Sequence, residues 1–398
     1  MANAAAGRLA FLVRGLDGGG AQKDAILMAN ALSALGIATA IVTLEARGPL
    51  RTLLRADVPL IDLGAGEKLR LAAAGPVLRR LLSQTPPRAL IASEAGANAL
   101  VSLVASTLPR RKRPFILLRE VATPSVAVTG DPYWQNRLGY RLAPFTYPRA
   151  DLVTTFTEGA RQDLISRFRV PAGRVVNLGT NTVVTPEMRR QIEATPRRVQ
   201  PGAIVSVGRL SPEKGFATLI AAFARLRATH AEATLTILGE GAERPALEAG
   251  IARLGIGDRA RLAGHDPNPV ARLREAALFV SASSHEGFGN AIIEALACGV
   301  PVVATDAPYG PRDILDGGRF GPLVPVGDAE ALATAMAATL RSPPDSAVLM
   351  RRAADFSVEA AAERFCAVLV EAGLDVNGAS ISTRETPSGT PETVVRRR

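Results

Sequence analysis

Short apolar runs alternate with stretches of helical period along almost the whole chain. Leu9–Val13, Ala38–Leu44, Val58–Leu63, Ala89–Ala92, Phe115–Leu118 and Leu152–Thr155 each read as a buried strand. The first is followed by a glycine-rich loop, Arg14 to Gly20, and by a helical pattern from Ala21 to Leu35. The theme restarts at Ala203–Val207 and continues through Thr234–Leu238, Ala260–Leu262, Leu278–Ser281 and Val300–Ala304. Strands that are apolar at nearly every position need cover on both faces. The alternation therefore predicts an α/β protein with two doubly wound parallel sheets. Between the two series, the polar stretch Pro186–Pro201, rich in Arg, Gln and Pro, reads as a domain connection. The expected organisation is an N-terminal domain over 1–185, a second over 186–355, and a helix within 356–375 that packs back towards the first domain. A tail at 376–398, dominated by Ser, Thr, Pro, Gly and Arg, is expected to be disordered. Two such domains in tandem are expected to face a cleft, with ligands beyond the C-terminal strand ends, where most of the glycine loops fall.

Composition narrows the class. The 398 residues are 47% hydrophobic and 21% charged, which fits two domains of ordinary size with large cores. No run approaches the roughly 18 apolar residues of a membrane span. Residues 1–7 lack a basic region followed by an apolar signal, so a cytoplasmic protein is expected, peripheral at the inner face of the cell membrane if it meets lipid. Two cysteines, Cys298 and Cys366, supply neither a disulfide framework nor a metal cluster. A net charge of +10 implies anionic partners. The densest basic run, Arg110 to Arg113, carries no interleaved aromatic residue, which argues against base stacking and nucleic acid.

Candidate chemistry concentrates in the second half. In Ser284–Ala304 a strand ends, a turn carries Gly287, Phe288 and Gly289, and a helix is predicted from about Phe288 to Cys298. Glycines let a ligand approach the backbone, and the first turn of the helix, beginning near Asn290, presents amide groups with positive partial charge, a seat for a diphosphate. Glu286 and Glu294 stand eight residues apart, so both can serve one site and the hydroxyls of a sugar and a ribose. The bland alternative makes Glu286 a helix-start charge and Glu294 a solvated helix residue. Gly208–Phe216 follows the first strand of the second series, and its Arg209 and Lys214 can bracket the same diphosphate, one as a fork and one as a point charge. Either can equally be a surface cation.

These residues together resemble the donor domain of retaining glycosyltransferases of family four, whose GT-B fold has two Rossmann-like domains facing a cleft. The resemblance rests on Glu286 and Glu294, on the Gly-Arg-Leu-x-x-x-Lys-Gly loop with Arg209 and Lys214, on the turn with Gly239 and Gly241, and on Gly264–Pro269 with His265. It implies that Glu294 binds ribose, Glu286 the transferred sugar, and Arg209 with Lys214 the diphosphate. It further implies retention of anomeric configuration with no metal ion and no cofactor beyond the nucleotide-sugar co-substrate. Ala307–Leu315 resembles a subset that builds bacterial surface polysaccharide on lipid carriers.

The N-terminal half matches the family more loosely. Gly19 and Gly20 fall in its glycine loop, with Gln22 in place of the common acid, and Asn98 and Glu120 occupy acceptor-side positions. All three histidines, His230, His265 and His285, lie in the second half, so the histidine that many relatives place in the first domain is missing, and Glu120 or Glu94 is a candidate replacement. The basic segment Lys68–Leu82 and the run at Arg110 to Arg113 suit an anionic membrane surface. Expected partners are a nucleotide-sugar donor, expected as a UDP-sugar, and a lipid-linked or saccharide acceptor.

Rival readings are a dinucleotide-dependent oxidoreductase and a non-catalytic basic nucleic-acid binder. The first is weakened because the third glycine of a dinucleotide fingerprint would fall on Lys23. The second is weakened because Glu286 and Glu294 would repel a polymer's phosphates.

Overall fold

The structure, a computed structural model, describes residues 4–64, 74–122, 124–130, 134–376, 379–385 and 391–397. It divides into two units, Met1–Thr182 with Val358–Arg398, and Val183–Ser357.

The first unit is built on β1 (Leu9–Val13), α1 (Gly20–Ala34), β2 (Thr39–Thr43), β3 (Leu60–Asp62), α2 (Ala74–Gln84), β4 (Ala89–Ser93), α3 (Ala95–Ser106) and β5 (Phe115–Arg119). These are followed by α4 (Pro124–Gly130), α5 (Trp134–Thr146), β6 (Leu152–Thr155), α6 (Glu158–Ser166) and β7 (Val175–Asn177). Its seven strands lie in the order β3-β2-β1-β4-β5-β6-β7 and every ladder is parallel. β1, β2 and β4 are buried at every position, the consequence of helices on both faces. The order reverses between β1 and β4, so the loops that leave these two strands diverge and open a crevice at their C-terminal ends.

The second unit comprises α7 (Pro186–Ala194), β8 (Ala203–Val207), α8 (Phe216–Leu226), β9 (Thr234–Leu238), α9 (Arg244–Arg253), β10 (Ala260–Gly264), α10 (Val270–Glu275) and β11 (Leu278–Ser281). It is completed by α11 (Asn290–Ala297), β12 (Val302–Thr305), α12 (Pro311–Ile314), β13 (Leu323–Val324), α13 (Ala329–Arg341) and α14 (Ser346–Ala354). The six-stranded parallel sheet runs β10-β9-β8-β11-β12-β13 and reverses between β8 and β11. Pro186–Pro201 is therefore no plain connection. Thr185 caps α7 by accepting from the Met188 amide, Pro186 sits in the first turn, and Met188 and Ile192 are buried, so a polar segment holds a helix by two apolar residues and a cap.

The last helix, α15 (Val358–Glu371), belongs to the first unit, where it packs on α1 and sets Phe365 against Phe11 with ring centroids 6.2 Å apart. In the tail, β14 (Ala379–Glu385) and β15 (Pro391–Arg397) pair antiparallel. The β-branched Ile381, Thr383, Thr393, Val394 and Val395 in the paired segments favour that extended backbone; of the tail expected to be disordered, 377–378, 386–390 and 398 lie outside the described residues. Part of the basic segment Lys68–Leu82, residues 68–73, lies outside the described residues, and its remainder is the start of α2.

One polar contact is locked in the core of the first unit. Arg119, at the end of β5, is fully buried and ion-paired at 2.6 Å to Asp24 on α1, which also accepts from the Thr182 hydroxyl at 2.5 Å. The rings of Phe156 and Phe365 lie 5.4 and 5.7 Å from the guanidinium carbon. Removing one partner of such a pair strands a buried charge. Asp24→Ala is expected to cost about 3–5 kcal/mol in urea unfolding, and Asp24→Leu combined with Arg119→Met to recover most of that loss; equal losses for the single and double variants would contradict it.

Candidate functional site

The switch point of the second unit brings together the loops that leave β8 and β11. They touch backbone to backbone. Gly215 has φ +62, and a Cβ there would lie 2.0 Å from the Ala282 carbonyl oxygen, so a residue with a side chain would push the loops apart. The Ser284 amide donates to the Glu213 carbonyl at 2.8 Å across the same seam. This approach delivers Lys214 to Glu286: Nζ donates to Oε1 at 2.7 Å and to Oε2 at 2.9 Å. The Ser283 hydroxyl donates to Oε1 at 2.7 Å, while the Thr305 hydroxyl holds the Ser283 carbonyl at 2.6 Å. With side chains 23% and 12% exposed, Lys214 and Glu286 form a partly shielded pair of fixed orientation that can still meet a ligand.

Arg209 leaves the same β8 loop, is exposed, and forms no ion pair among the described residues. α11 begins at Asn290 rather than Phe288. Gly289, its N-cap, has φ +109 and offers no side-chain oxygen to the first turn, so no side chain caps the positive end of this helix. Gly287 lies in the loop before it, and Asn290 is exposed at its first position. Phe288 points inward, buried, with its ring 5.8 Å from that of Phe356. Only the backbone of Phe288 can therefore serve a ligand. Glu294 stands half-buried one turn beyond the start of α11. Its charge, after burial itself, contributes to pushing the Cys298 thiol up to about 12.

Gly239 and Gly241 have a structural explanation of their own. A Cβ on Gly239 would lie 1.8 Å from the Gly208 carbonyl oxygen, and one on Gly241 2.2 Å from that of Leu210. The Leu210 amide donates to the Glu240 carbonyl at 2.9 Å. These glycines let the β9 turn lie flat on the β8 loop and so set where Arg209 emerges. His265 follows β10 and is exposed, with the Glu240–Arg244 ion pair on the neighbouring turn. A hollow lined by Thr234, Asp258 and Arg272 lies at the opposite, N-terminal ends of β8 to β10, away from these groups.

In the first unit, Gly19 and Gly20 are exposed at the start of α1, and the Gln22 side chain turns back to accept from the Gly19 amide at 3.2 Å. Gln22 is thus occupied as a cap. Asn98 and Glu120 are interior residues. Glu120 accepts from the hydroxyls of Tyr140 at 2.8 Å and Tyr147 at 2.9 Å and from the Ala122 amide at 3.0 Å. Asn98 donates to the Tyr147 oxygen at 3.0 Å and to the Arg119 carbonyl at 3.1 Å. Their expected contact with an acceptor is corrected to a buried hydrogen-bond network, because neither side chain reaches the surface. Glu94 is the better-placed acid. It follows β4 directly, at the switch point of this sheet, with φ +75 and an ion pair of 2.5 Å to Arg14 at the end of β1.

Residues 187–356 match the family model described as glycosyl transferases group 1, and residues 19–181 match the glycosyl transferase 4-like domain. A lipopolysaccharide core biosynthesis glycosyltransferase, LpsE, of Rhizobium meliloti is 32% identical over 240 residues, 60% of this chain and 68% of that protein. The chain belongs to the group 1 glycosyl transferases. The transferase is also 32% identical, over 58% of its own length and 61% of the relative's, to an N-acetylgalactosaminyltransferase of Campylobacter jejuni. That enzyme is named for an acceptor on diphospho-undecaprenol. Among solved structures, the transferase shares its fold with Anabaena HepE in complex with UDP and glucose, at TM-score 0.69 and 20% identity over 91% of this chain and 99% of that one. It is likewise similar to sucrose-phosphate synthase from Thermosynechococcus elongatus, at TM-score 0.70 and 21% identity over 92% and 98%. The fold is GT-B, and the oxidoreductase and nucleic-acid-binder readings give way to an enzyme of glycosyl transfer.

Burial pushes Glu120 up to about 7 from its ordinary 4.5, against the lowering effect of the bonds from Tyr140, Ala122 and Tyr147. The folded state then holds the proton more tightly than the unfolded chain. The associated stability is complete below about pH 4.5 and is lost as pH rises to about 7. Relative to Glu120→Gln, the wild-type transferase is expected to lose about 3 kcal/mol over that interval, read from urea midpoints at each pH; parallel pH profiles would contradict the assignment.

Proposed function

We propose that this transferase moves a hexose or N-acetylhexosamine from a UDP-sugar to a lipid-linked or saccharide acceptor in the assembly of a bacterial surface polysaccharide, with retention at the anomeric carbon. The observation that carries the proposal is the fixed Lys214–Glu286 pair beside the uncapped start of α11 at the switch point of the second sheet. A departing nucleoside diphosphate is the group whose charge must be stabilised. Lys214, exposed Arg209 and the amide end of α11 are three positive features that suit it. Arrival of the diphosphate at Lys214 places the sugar against Glu286, whose carboxylate is already oriented by Ser283. Glu294, further along the same helix, takes the ribose hydroxyls. The mechanism gives no role to a metal ion or other cofactor, since these cations carry the charge.

The choice of carrier and acceptor is supported by relatives rather than by residues of this chain. HepE is similar in fold and was solved with UDP-glucose, the Campylobacter relative is named for a lipid-diphosphate acceptor, and LpsE for lipopolysaccharide core. A lipid-linked acceptor would place the protein peripherally on an anionic membrane surface.

Titration with UDP and a panel of UDP-sugars, read as a rise in melting temperature, tests the proposal, because a ligand of the folded state stabilises it in proportion to saturation. Glu294→Ala is expected to weaken UDP at least about tenfold, equivalent to about 1.4 kcal/mol. Glu286→Gln is expected to bind UDP while sugar transfer falls by about a hundredfold or more. Full activity in the double variant would overturn the site.

A further inference from the structure

The loop that leaves β12 lies on the loop that carries Glu286. Its Pro308 carbonyl accepts from the Glu286 amide at 3.4 Å, and two residues on, a Cβ on Gly310 would lie 1.6 Å from the Phe288 carbonyl oxygen. Gly310 also has φ +112, so only glycine fits there. Just beyond, Ile314 on α12 reaches to 3.2 Å from where a Cβ on Gly289 would stand. α12 is itself anchored by Arg352 of α14, which donates to the carbonyls of Asp313 at 2.7 Å and Ile314 at 2.9 Å. The Arg352 guanidinium carbon lies 4.7 Å from the centre of the Phe356 ring. The turn is thus pinned to the Glu286 loop on both sides of a single residue.

That residue is Tyr309. Its φ of +66 lies in the left-handed region, where a bulky side chain crowds its own backbone at a cost that glycine does not bear. The close approach of the two loops is made by Gly310 and by the Pro308 carbonyl, so glycine at 309 would serve the backbone course at least as well. A tyrosine held in an unfavourable conformation points to a role for its ring. Tyr309 is half-buried, unlike Phe288, whose ring is sunk against Phe356. An aromatic residue left partly open offers an apolar face with a hydroxyl at its edge, which suits a pyranose with its C–H face and surrounding hydroxyls. A diphosphate is better served by cations and amides, and the ribose is taken by Glu294, further along α11.

We infer that Tyr309 is a specificity-determining residue of the donor site, its ring packing against the sugar of the bound nucleotide sugar while Glu286 meets that sugar's hydroxyls. The inference deepens the proposed donor site and rests on it, because it needs Glu286 to face the sugar. A nucleoside diphosphate without its sugar gains nothing from the ring. Tyr309 therefore separates a UDP-sugar from UDP, and one UDP-sugar from another.

The full chain and its Tyr309→Gly and Tyr309→Phe variants are melted without ligand and titrated calorimetrically. The ligands are UDP, UDP-glucose, UDP-galactose, UDP-N-acetylglucosamine and UDP-N-acetylgalactosamine. Tyr309→Gly is expected to melt no lower than the wild type, since relief at φ offsets the extra freedom of glycine in the unfolded chain. It is expected to bind UDP unchanged and to bind the UDP-sugar that the wild type prefers about tenfold more weakly, the size of one aromatic contact. Tyr309→Phe keeps the ring face and is expected to stay within about twofold of the wild type for every ligand. A glycine variant that melts lower while its sugar affinity holds would assign the ring to packing and overturn the inference. Equal weakening of UDP and UDP-sugar, or a phenylalanine variant as weak as the glycine one, would also overturn it. Wild-type protein that binds none of these ligands would overturn the donor-site reading and the inference together, whereas wild-type binding of UDP with undiminished sugar preference in Tyr309→Gly would overturn the inference alone.

Discussion

The candidate chemistry depends on a steric constraint: the loops after β8 and β11 pass so closely that only glycine fits at position 215. That contact is possible because the strand order reverses between these two strands, leaving their loops to meet edge to edge above the sheet. Lys214 precedes the tight glycine and Glu286 follows the seam, so a backbone constraint becomes a side-chain pair with fixed geometry. Gly239 and Gly241 extend the same principle one strand further, where the β9 turn presses on the loop that carries Arg209. Glycines that look like ligand contacts in the sequence thus act first by letting polypeptide lie on polypeptide.

The interior of the first unit is organised on different terms. Arg119 and Glu120 are consecutive and both buried, yet one is balanced by Asp24 and two aromatic rings and the other by two tyrosine hydroxyls and an amide. Apart from the Ala122 amide, these partners come from distant parts of the chain: Asp24 on α1, Tyr140 on α5, Tyr147 just after it, Phe156 after β6 and Phe365 on α15. Such a network fixes how α3 and α5 pack on the sheet.

What was legible in the sequence followed burial. Strands such as β1, β2 and β4, covered on both faces, stood out as unbroken apolar runs, and the glycine turns marked their C-terminal ends. The short edge strands Val175–Asn177 and Leu323–Val324 escaped because two or three residues carry no period. α7 was hidden by its polar surface, although Thr185 and Pro186 together are a helix-start signal that was available to be read. The roles of Asn98 and Glu120 were not readable, since whether a carboxyl after a strand faces solvent depends on Tyr140 and Tyr147, at least 20 residues away. The motif around Glu286 was readable in type, but its direct bond to Lys214, 72 residues earlier, required the strand order.

The most direct test of the account is a crystal structure of the full chain soaked with UDP. The account predicts diphosphate oxygens within hydrogen-bond distance of the Lys214 ammonium, the Arg209 guanidinium and the backbone amides at the start of α11. A diphosphate bound elsewhere, with the Lys214–Glu286 pair untouched by ligand, would contradict it.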